Sequence, residues 1–217
     1  MLKLYTAATP NGWKISVLLE ELGIDYEVRP INLTANEQKS PEYLAINPNG
    51  RIPAIIDTET DMTIFESGAI MIYLAEKHKR FLPEDIPGRT MVIQWLMFQI
   101  SGIGPMMGQA NVFFRYFPKK IPEAIERYQN EVKRLFTVLD GHLNDREYLA
   151  GDYSIADMAN WCWVHTHNWS GVEISSFKNL KRWNDQIGQR PAIIKGIQIP
   201  AKVSKADIKK AGQQLIK

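Results

Sequence analysis

The pattern of the chain changes once, near residue 80. Before that point short β-forming runs alternate with segments of helical period; beyond it no run reads as a convincing strand. Such a chain is expected to fold as an α/β unit followed by an all-helical one. Leu2–Thr6 reads as a first strand. A helix over 11–22 places Ile15, Leu18, Leu19 and Leu22 on one face, and Gly23 marks its stop. Residues 26–31 read as a second strand and 41–45 as a short helical turn. Residues 53–57 and 62–65 flank a polar loop as a hairpin, and 67–79 closes the unit as a helix with Ile70, Met71, Tyr73 and Leu74 inward.

The order is βαβ, a short helix, then ββα. The first part implies a parallel pair joined by a right-handed crossover, the second an antiparallel hairpin. This is the layout of a thioredoxin-like domain. Residues 80–88 carry two prolines and a glycine and read as a connection. Helices are expected over 89–100, 122–143, 154–168 and 177–189, with Gly102, Gly104 and Pro105 breaking or bending the first. Ser154 and Asp157 have the spacing of a capping box. The expected division is a thioredoxin-like domain over 1–82, a linker over 83–87, and a helical bundle over 88–217 ending in a basic tail, 198–217.

Composition excludes more than it selects. A formal net charge of +2 supplies no field to recruit nucleic acid or an anionic membrane. No leader pattern opens the chain, and no run approaches the roughly 18 apolar residues of a membrane helix. The single cysteine, Cys162, cannot form an internal disulfide, which fits a reducing compartment, the cytoplasm. Cys162 and His165 would share a helical face while His167 points away, poor zinc geometry, so no metal is expected. Phe113, Phe114 and Tyr116 follow the bent helix and are candidate walls for a second-substrate pocket.

Three segments of the first half carry candidate chemistry. Thr9-Pro10-Asn11-Gly12 lies between strand and helix, where free N–H groups, a hydroxyl and a side-chain amide can stabilise an anion. The plain alternative is a turn with Pro at the first helical position. Asn49-Gly50-Arg51-Ile52-Pro53-Ala54 puts a proline at the start of a strand, where a cis peptide would present the Ile52 backbone as an edge for a peptide. In Phe65-Glu66-Ser67-Gly68, Ser67 can cap the helix and hold a carboxylate while Glu66 takes an ammonium group; otherwise the two are only a cap and a first-turn charge.

The three segments occur in order ahead of an all-helical half, and with Tyr153-Ser154-Ile155-Ala156-Asp157 they resemble the glutathione transferases. Thr9-Pro10-Asn11-Gly12, Gly104-Pro105-Met106-Met107-Gly108-Gln109 and Ile125-Glu126-Arg127-Tyr128-Gln129 resemble the bacterial nu-class members, which act as disulfide-bond reductases. That resemblance implies the glutathione transferase fold and a homodimer. It also implies catalytic roles for Thr9 and Asn11 at the glutathione thiol, and glutathione contacts from Gln38, Ile52, Glu66, Ser67 and Arg127. Arg51 and Pro53 belong to the same stretch and join the candidate set. Glutathione is implied as co-substrate, as two molecules or the oxidised dimer in one site, with a small disulfide or an electrophile as the second substrate. Conjugation, peroxide reduction and a non-catalytic binding module are the other outcomes such a chain allows. No cysteine stands where thioredoxins keep their redox pair, so the thiol must come from glutathione. Tyr5 reads as a strand residue rather than a catalytic tyrosine.

Overall fold

The computed structural model describes residues 1–201 together with Lys210, Gly212 and Gln213; the rest of the expected basic tail lies outside the described residues. The chain forms two compact units, one of residues 1–80 and 190–201, the other of residues 81–189.

The first unit is built on a four-stranded sheet of order β2-β1-β3-β4, from β1 (Leu2–Thr6), β2 (Tyr26–Pro30), β3 (Ala54–Asp57) and β4 (Met62–Phe65). β1 and β2 are parallel and β3 and β4 antiparallel, as the βαβ and hairpin readings require; β3 also runs antiparallel to β1. Helix α1 (Pro10–Leu22) starts at an extended Thr9 whose hydroxyl oxygen accepts from the Gly12 N–H at 3.3 Å, with Pro10 as first helical residue. It ends at Gly23, whose φ of 69° lets its N–H close onto Leu19 and Glu20 carbonyls. The helix is buried nearly all round: Trp13, Ile15, Val17, Leu18 and Leu19 are core, each worth about 1.5–3 kcal/mol on removal from water. Helix α2 (Pro41–Ile46) is capped by Ser40, and α3 (Ser67–His78) follows β4 directly.

Sequence patterning did not anticipate the short helix at 191–196 of this unit. The Ser16 hydroxyl donates to the Gly196 carbonyl at 2.8 Å, the Arg190 guanidinium grips Glu21 at 2.6 and 2.9 Å, and Lys195 meets Glu20 at 2.7 Å. These contacts, rather than six residues of helical propensity, hold the segment 191–196 against α1.

In the second unit α4 (Ile86–Phe98) starts inside the stretch expected as a linker. The Asp85 carboxylate accepts from the Gly88 N–H at 2.8 Å, and Pro87 falls in the first turn, where a missing N–H costs nothing. The break or bend expected at 102–105 takes the form of a π-helical turn, Gln99–Ile103, leading into α5 (Gly104–Asn111) and a second π turn, Val112–Tyr116. The wider turn absorbs the irregularity, and Pro105 lies in the first turn of the segment that comes next. Then come α6 (Pro122–His142), α7 (Ile155–Val164) and α8 (Lys178–Gly188). The predicted capping box is present. Asp157 accepts from the Leu149 N–H (3.0 Å), the Ser154 N–H and hydroxyl (3.1 Å each) and the Trp183 indole (2.9 Å), all buried. Asp140 on α6 caps α8 through the Asn179 and Leu180 N–H groups. The chain then returns to the first unit with a short helix, α9 (Pro191–Gly196).

Candidate functional site

Strand register brings the three candidate segments to one end of the sheet. Thr6 pairs with Pro30, Tyr5 with Ala54, and Ala54 with Phe65. The loop after β1, the chain after β2, the residues before β3 and those after β4 therefore leave the sheet at the same edge. Thr9 and Asn11, then 31–39, then Arg51, Ile52 and Pro53, and then Glu66 and Ser67 stand there together.

The first segment is fixed by close packing. A Cβ on Gly12 would meet the Ala7 carbonyl oxygen at 2.2 Å and Thr6 Oγ1 at 2.4 Å, so only glycine lets α1 begin this close to the loop. Thr9 spends one lone pair on the Gly12 N–H, which leaves its hydroxyl proton available to an anion over the helix start. Asn11, half-buried, lies in the first turn.

The second segment is held through the Arg51 carbonyl. Tyr43 Oη donates to it at 2.7 Å and Asn47 Nδ2 at 2.6 Å, while Asn47 Oδ1 accepts from the Asn49 N–H at 3.0 Å. Burial of the Tyr43 phenol pushes it up to about 12, so it serves as a neutral donor. The Ile52–Pro53 peptide is cis, and β3 begins only at Ala54, so Ile52 precedes the ladder. Tyr5 is a strand residue whose ring meets Tyr43 edge-on at 6.2 Å.

The third segment corrects one expectation. Ser67 does not cap α3: Glu66 occupies the N-cap position, without a side-chain cap, at φ 70° and ψ 116°, and Ser67 is the first helical residue. A non-glycine residue in that conformation costs about 1–3 kcal/mol and is characteristic of ligand sites. The Glu66 carboxylate accepts from Asn49 Nδ2 at 3.4 Å, which joins the second and third segments. Freed from capping, the Ser67 hydroxyl accepts instead from the ammonium group of Lys14, at 3.2 Å.

Among the remaining candidates, Gln38 is half-buried beside these loops, its Oε1 buried with no hydrogen-bond partner among the described residues, and Arg51 is exposed. Arg127 is an exposed residue of α6, in the second unit. Within that unit Tyr116 is buried, Phe113 stacks on Tyr128 at 5.5 Å, and the Arg115 guanidinium lies 5.1 Å from the Tyr116 ring and 5.0 Å from that of Trp169. Cys162 is buried, and His165 stacks on Trp161 at 4.4 Å. Among the described residues no three His, Cys, Asp or Glu side chains stand together as a metal group, and no helix is long and apolar enough to cross a membrane.

Sequence reasoning assigned no role to Lys14, Tyr43 or Asn47. Tyr43 and Asn47 act through a backbone carbonyl, which no side-chain pattern reveals. Lys14 did carry a signal: a lone charge inside Trp13–Leu19, a run otherwise almost wholly apolar.

Comparison with known proteins gives this geometry a family. Residues 1–76 match the model of the glutathione S-transferase N-terminal domain, and residues 105–191 that of the C-terminal domain. The disulfide-bond oxidoreductase YfcG of Escherichia coli is 43% identical over 198 residues, 88% of this chain and 92% of that protein. A glutathione transferase from Pseudomonas putida, solved with one glutathione disulfide bound per subunit, superposes with a TM-score of 0.86 at 41% identity over 92% of each chain. A family member from Pseudomonas fluorescens with two glutathiones bound gives 0.86 at 42% identity, covering 92% of this chain and 93% of that one. On sequence, fold and the arrangement of its sheet end, the chain belongs to the glutathione S-transferase family.

Proposed function

We propose that the protein is a glutathione-dependent disulfide-bond reductase, with the thiolate of bound glutathione as its nucleophile. One observation carries this reading. Strand register gathers the start of α1, the Ile52 backbone and the Glu66–Ser67 pair at one sheet end, while the lone cysteine is buried in α7 of the other unit. The site is thus shaped for a thiol-bearing peptide and offers no thiol of its own. The oxidoreductase name of the Escherichia coli relative and the glutathione disulfide held by the Pseudomonas putida protein support the same direction.

In this reading Thr9 and Asn11 hold the thiolate at the start of α1. Arg51, Ile52 and Pro53 flank the peptide main chain, Gln38 contacts it from the loop after β2, and Glu66 and Ser67 take the ammonium and carboxylate of the γ-glutamyl head. Arg127 is assigned by family resemblance; its guanidinium suits a carboxylate. A free thiol near pKa 8.5 is only a few per cent ionised at neutral pH, and lowering it by about two units takes roughly 2.7 kcal/mol. A helix N-terminus with one or two hydrogen bonds supplies an amount of that order.

The thiolate attacks one sulfur of the substrate disulfide: a new S–S bond forms to glutathione, the old one breaks, and the second sulfur leaves as thiolate and takes a proton from water. A second glutathione thiolate attacks the glutathione sulfur of the mixed disulfide, releasing oxidised glutathione and the other substrate thiolate. Two glutathiones are oxidised for each disulfide reduced. The protein's part is orientation and thiolate stabilisation. We propose a homodimer acting in the cytoplasm, where a glutathione pool keeps thiols reduced and a single cysteine is at home. Turnover of a small model disulfide by glutathione, beside conjugation of an aryl halide, tests the assignment. Dominant disulfide reduction supports it; dominant conjugation makes the protein a conventional transferase, and turnover of neither makes it a binding module.

A further inference from the structure

Lys14 takes no part in the thiol chemistry, yet it is the most unusual side chain of the first unit. It is 1% exposed, on a helix buried nearly all round, and its Nζ donates to Ser67 Oγ at 3.2 Å across 53 residues of sequence. Charged lysine is among the residues least often fully buried, because removing an ammonium group from water is costly unless it is compensated. A lysine retained there has a task that a methionine of similar length would not perform.

The chemistry of the hydrogen-bonded pair defines one such task. An ammonium group can only donate hydrogen bonds, whereas a serine hydroxyl carries one proton and two lone pairs. By occupying a lone pair of Ser67, Lys14 forces the hydroxyl proton to point elsewhere, and Ser67 becomes a donor to whatever lies beyond it. Ser67 is also the first residue of α3, a twelve-residue helix, where N–H groups of the first turn lack intrahelical partners and the dipole favours negative charge. Because Glu66 rather than Ser67 holds the N-cap position, the hydroxyl is not spent on the helix's own N–H groups. A hydroxyl proton, first-turn N–H groups and a buried cation behind them make a receptor for one carboxylate.

We infer that Lys14 is a positioning residue that sets the polarity of Ser67, and that through it the site selects a ligand carrying a free α-carboxylate on its γ-glutamyl head. This rests on the proposed glutathione site and deepens it: the preference belongs to the Lys14–Ser67 pair, and Lys14 itself touches no ligand. A phosphate-free, amino-acid-like carboxylate is the group selected, and the effect is expressed in binding rather than in the chemical step.

The test is calorimetric binding of two peptides, glutathione and 4-aminobutyryl-cysteinylglycine, which lacks only that carboxylate. Wild type binds glutathione more tightly than the analogue. In Lys14→Met the preference shrinks by about 10- to 100-fold, the worth of a hydrogen bond to a charged group, while the analogue's own affinity stays near the wild-type value. Ser67→Ala, with Lys14 intact, loses the preference by the same factor, and adding Lys14→Met to it changes nothing further. Should Lys14→Met not fold, Ser67→Ala alone decides, because a preference that survives there overturns the inference. Loss of both ligands in equal measure in Lys14→Met assigns Lys14 to packing and also overturns it. If wild type binds neither peptide, the glutathione reading fails and takes the inference with it. If wild type prefers glutathione and both variants keep that preference, the inference alone fails.

Discussion

Replacing Asn47 tests how the peptide-facing edge before β3 is held. The Arg51 carbonyl accepts two hydrogen bonds, from Tyr43 Oη at 2.7 Å and Asn47 Nδ2 at 2.6 Å, and Asn47 also receives the Asn49 N–H at 3.0 Å. Asn47→Ala removes two bonds worth about 1 kcal/mol each net, a loss of about 2 kcal/mol. Tyr43→Phe removes one and keeps the ring against Tyr5, a loss of about 1 kcal/mol. If these bonds fix Ile52 for ligand pairing, part of each loss reappears in affinity. Glutathione binding then weakens about 5- to 30-fold in Asn47→Ala and no more than about 5-fold in Tyr43→Phe. The double variant costs more than the sum, because its carbonyl has lost both donors and the bonds are coupled through it. Urea unfolding gives the stability terms and calorimetry the affinities. Asn47→Ala with the expected stability loss and undiminished affinity would refute the reasoning, since the clamp would then support the fold and not the site. An additive double variant would refute the coupling.

Three further outcomes are expected from the same structure. Gly12→Ala drives a methyl group into the Ala7 carbonyl and Thr6, so unfolding in urea should show a loss of about 1–3 kcal/mol, and retention on immobilised glutathione should fall with it as Thr9 is displaced. Burial alone would raise the Asp57 carboxyl, but hydrogen bonds from Lys77, Tyr73 and the Glu59 N–H overrule it and hold the group at about 2. Since that lies below the unfolded value near 3.9, its contribution of at most about 2.5 kcal/mol is complete above about pH 4 and lost between about pH 4 and 2; unfolding across that window should be flatter in Asp57→Asn. Asp157→Asn turns an amide NH2 toward at least one backbone or indole N–H, which can only donate, and strands it, so thermal or urea unfolding should report about 1–3 kcal/mol lost, and more in Asp157→Ala.

The first unit was legible because its signals are local. Alternation marks β1, Thr9-Pro10 and Gly23 bracket α1, and the prolines at 41 and 53 punctuate the rest of the unit, so the parallel pair and the hairpin could be reasoned from crossover rules, though not the order of all four strands. The capping box at Ser154 and Asp157 was legible for the same reason. Where sequence patterning went astray, distant partners decide. Gly102, Gly104 and Pro105 read as a break or a bend without a choice between them, and the helix passes through them by widening to a π turn. Ser67 reads as a cap by residue type, but Glu66 occupies that position and Ser67 answers to Lys14, 53 residues away. The segment Pro191–Gly196 has little helical signal of its own and is held by Glu20, Glu21 and Ser16 of α1. The candidate site was readable as three motifs; that the Arg51 carbonyl is the handle by which one of them is positioned was not.

The central claim is that bound glutathione supplies the reacting thiolate and that Thr9 and Asn11 at the start of α1 stabilise it. The most direct measurement is steady-state reduction of a small model disulfide by glutathione as a function of pH, on wild type, Thr9→Ala and Asn11→Ala. The account predicts turnover in wild type at neutral pH, and in at least one variant a kcat/KM lower by about 10- to 100-fold, the worth of a hydrogen bond to a charged group. The rise of its rate with pH should move toward the pKa near 8.5 of a free thiol. Turnover that is unchanged in both variants, with the same pH profile as wild type, would contradict it.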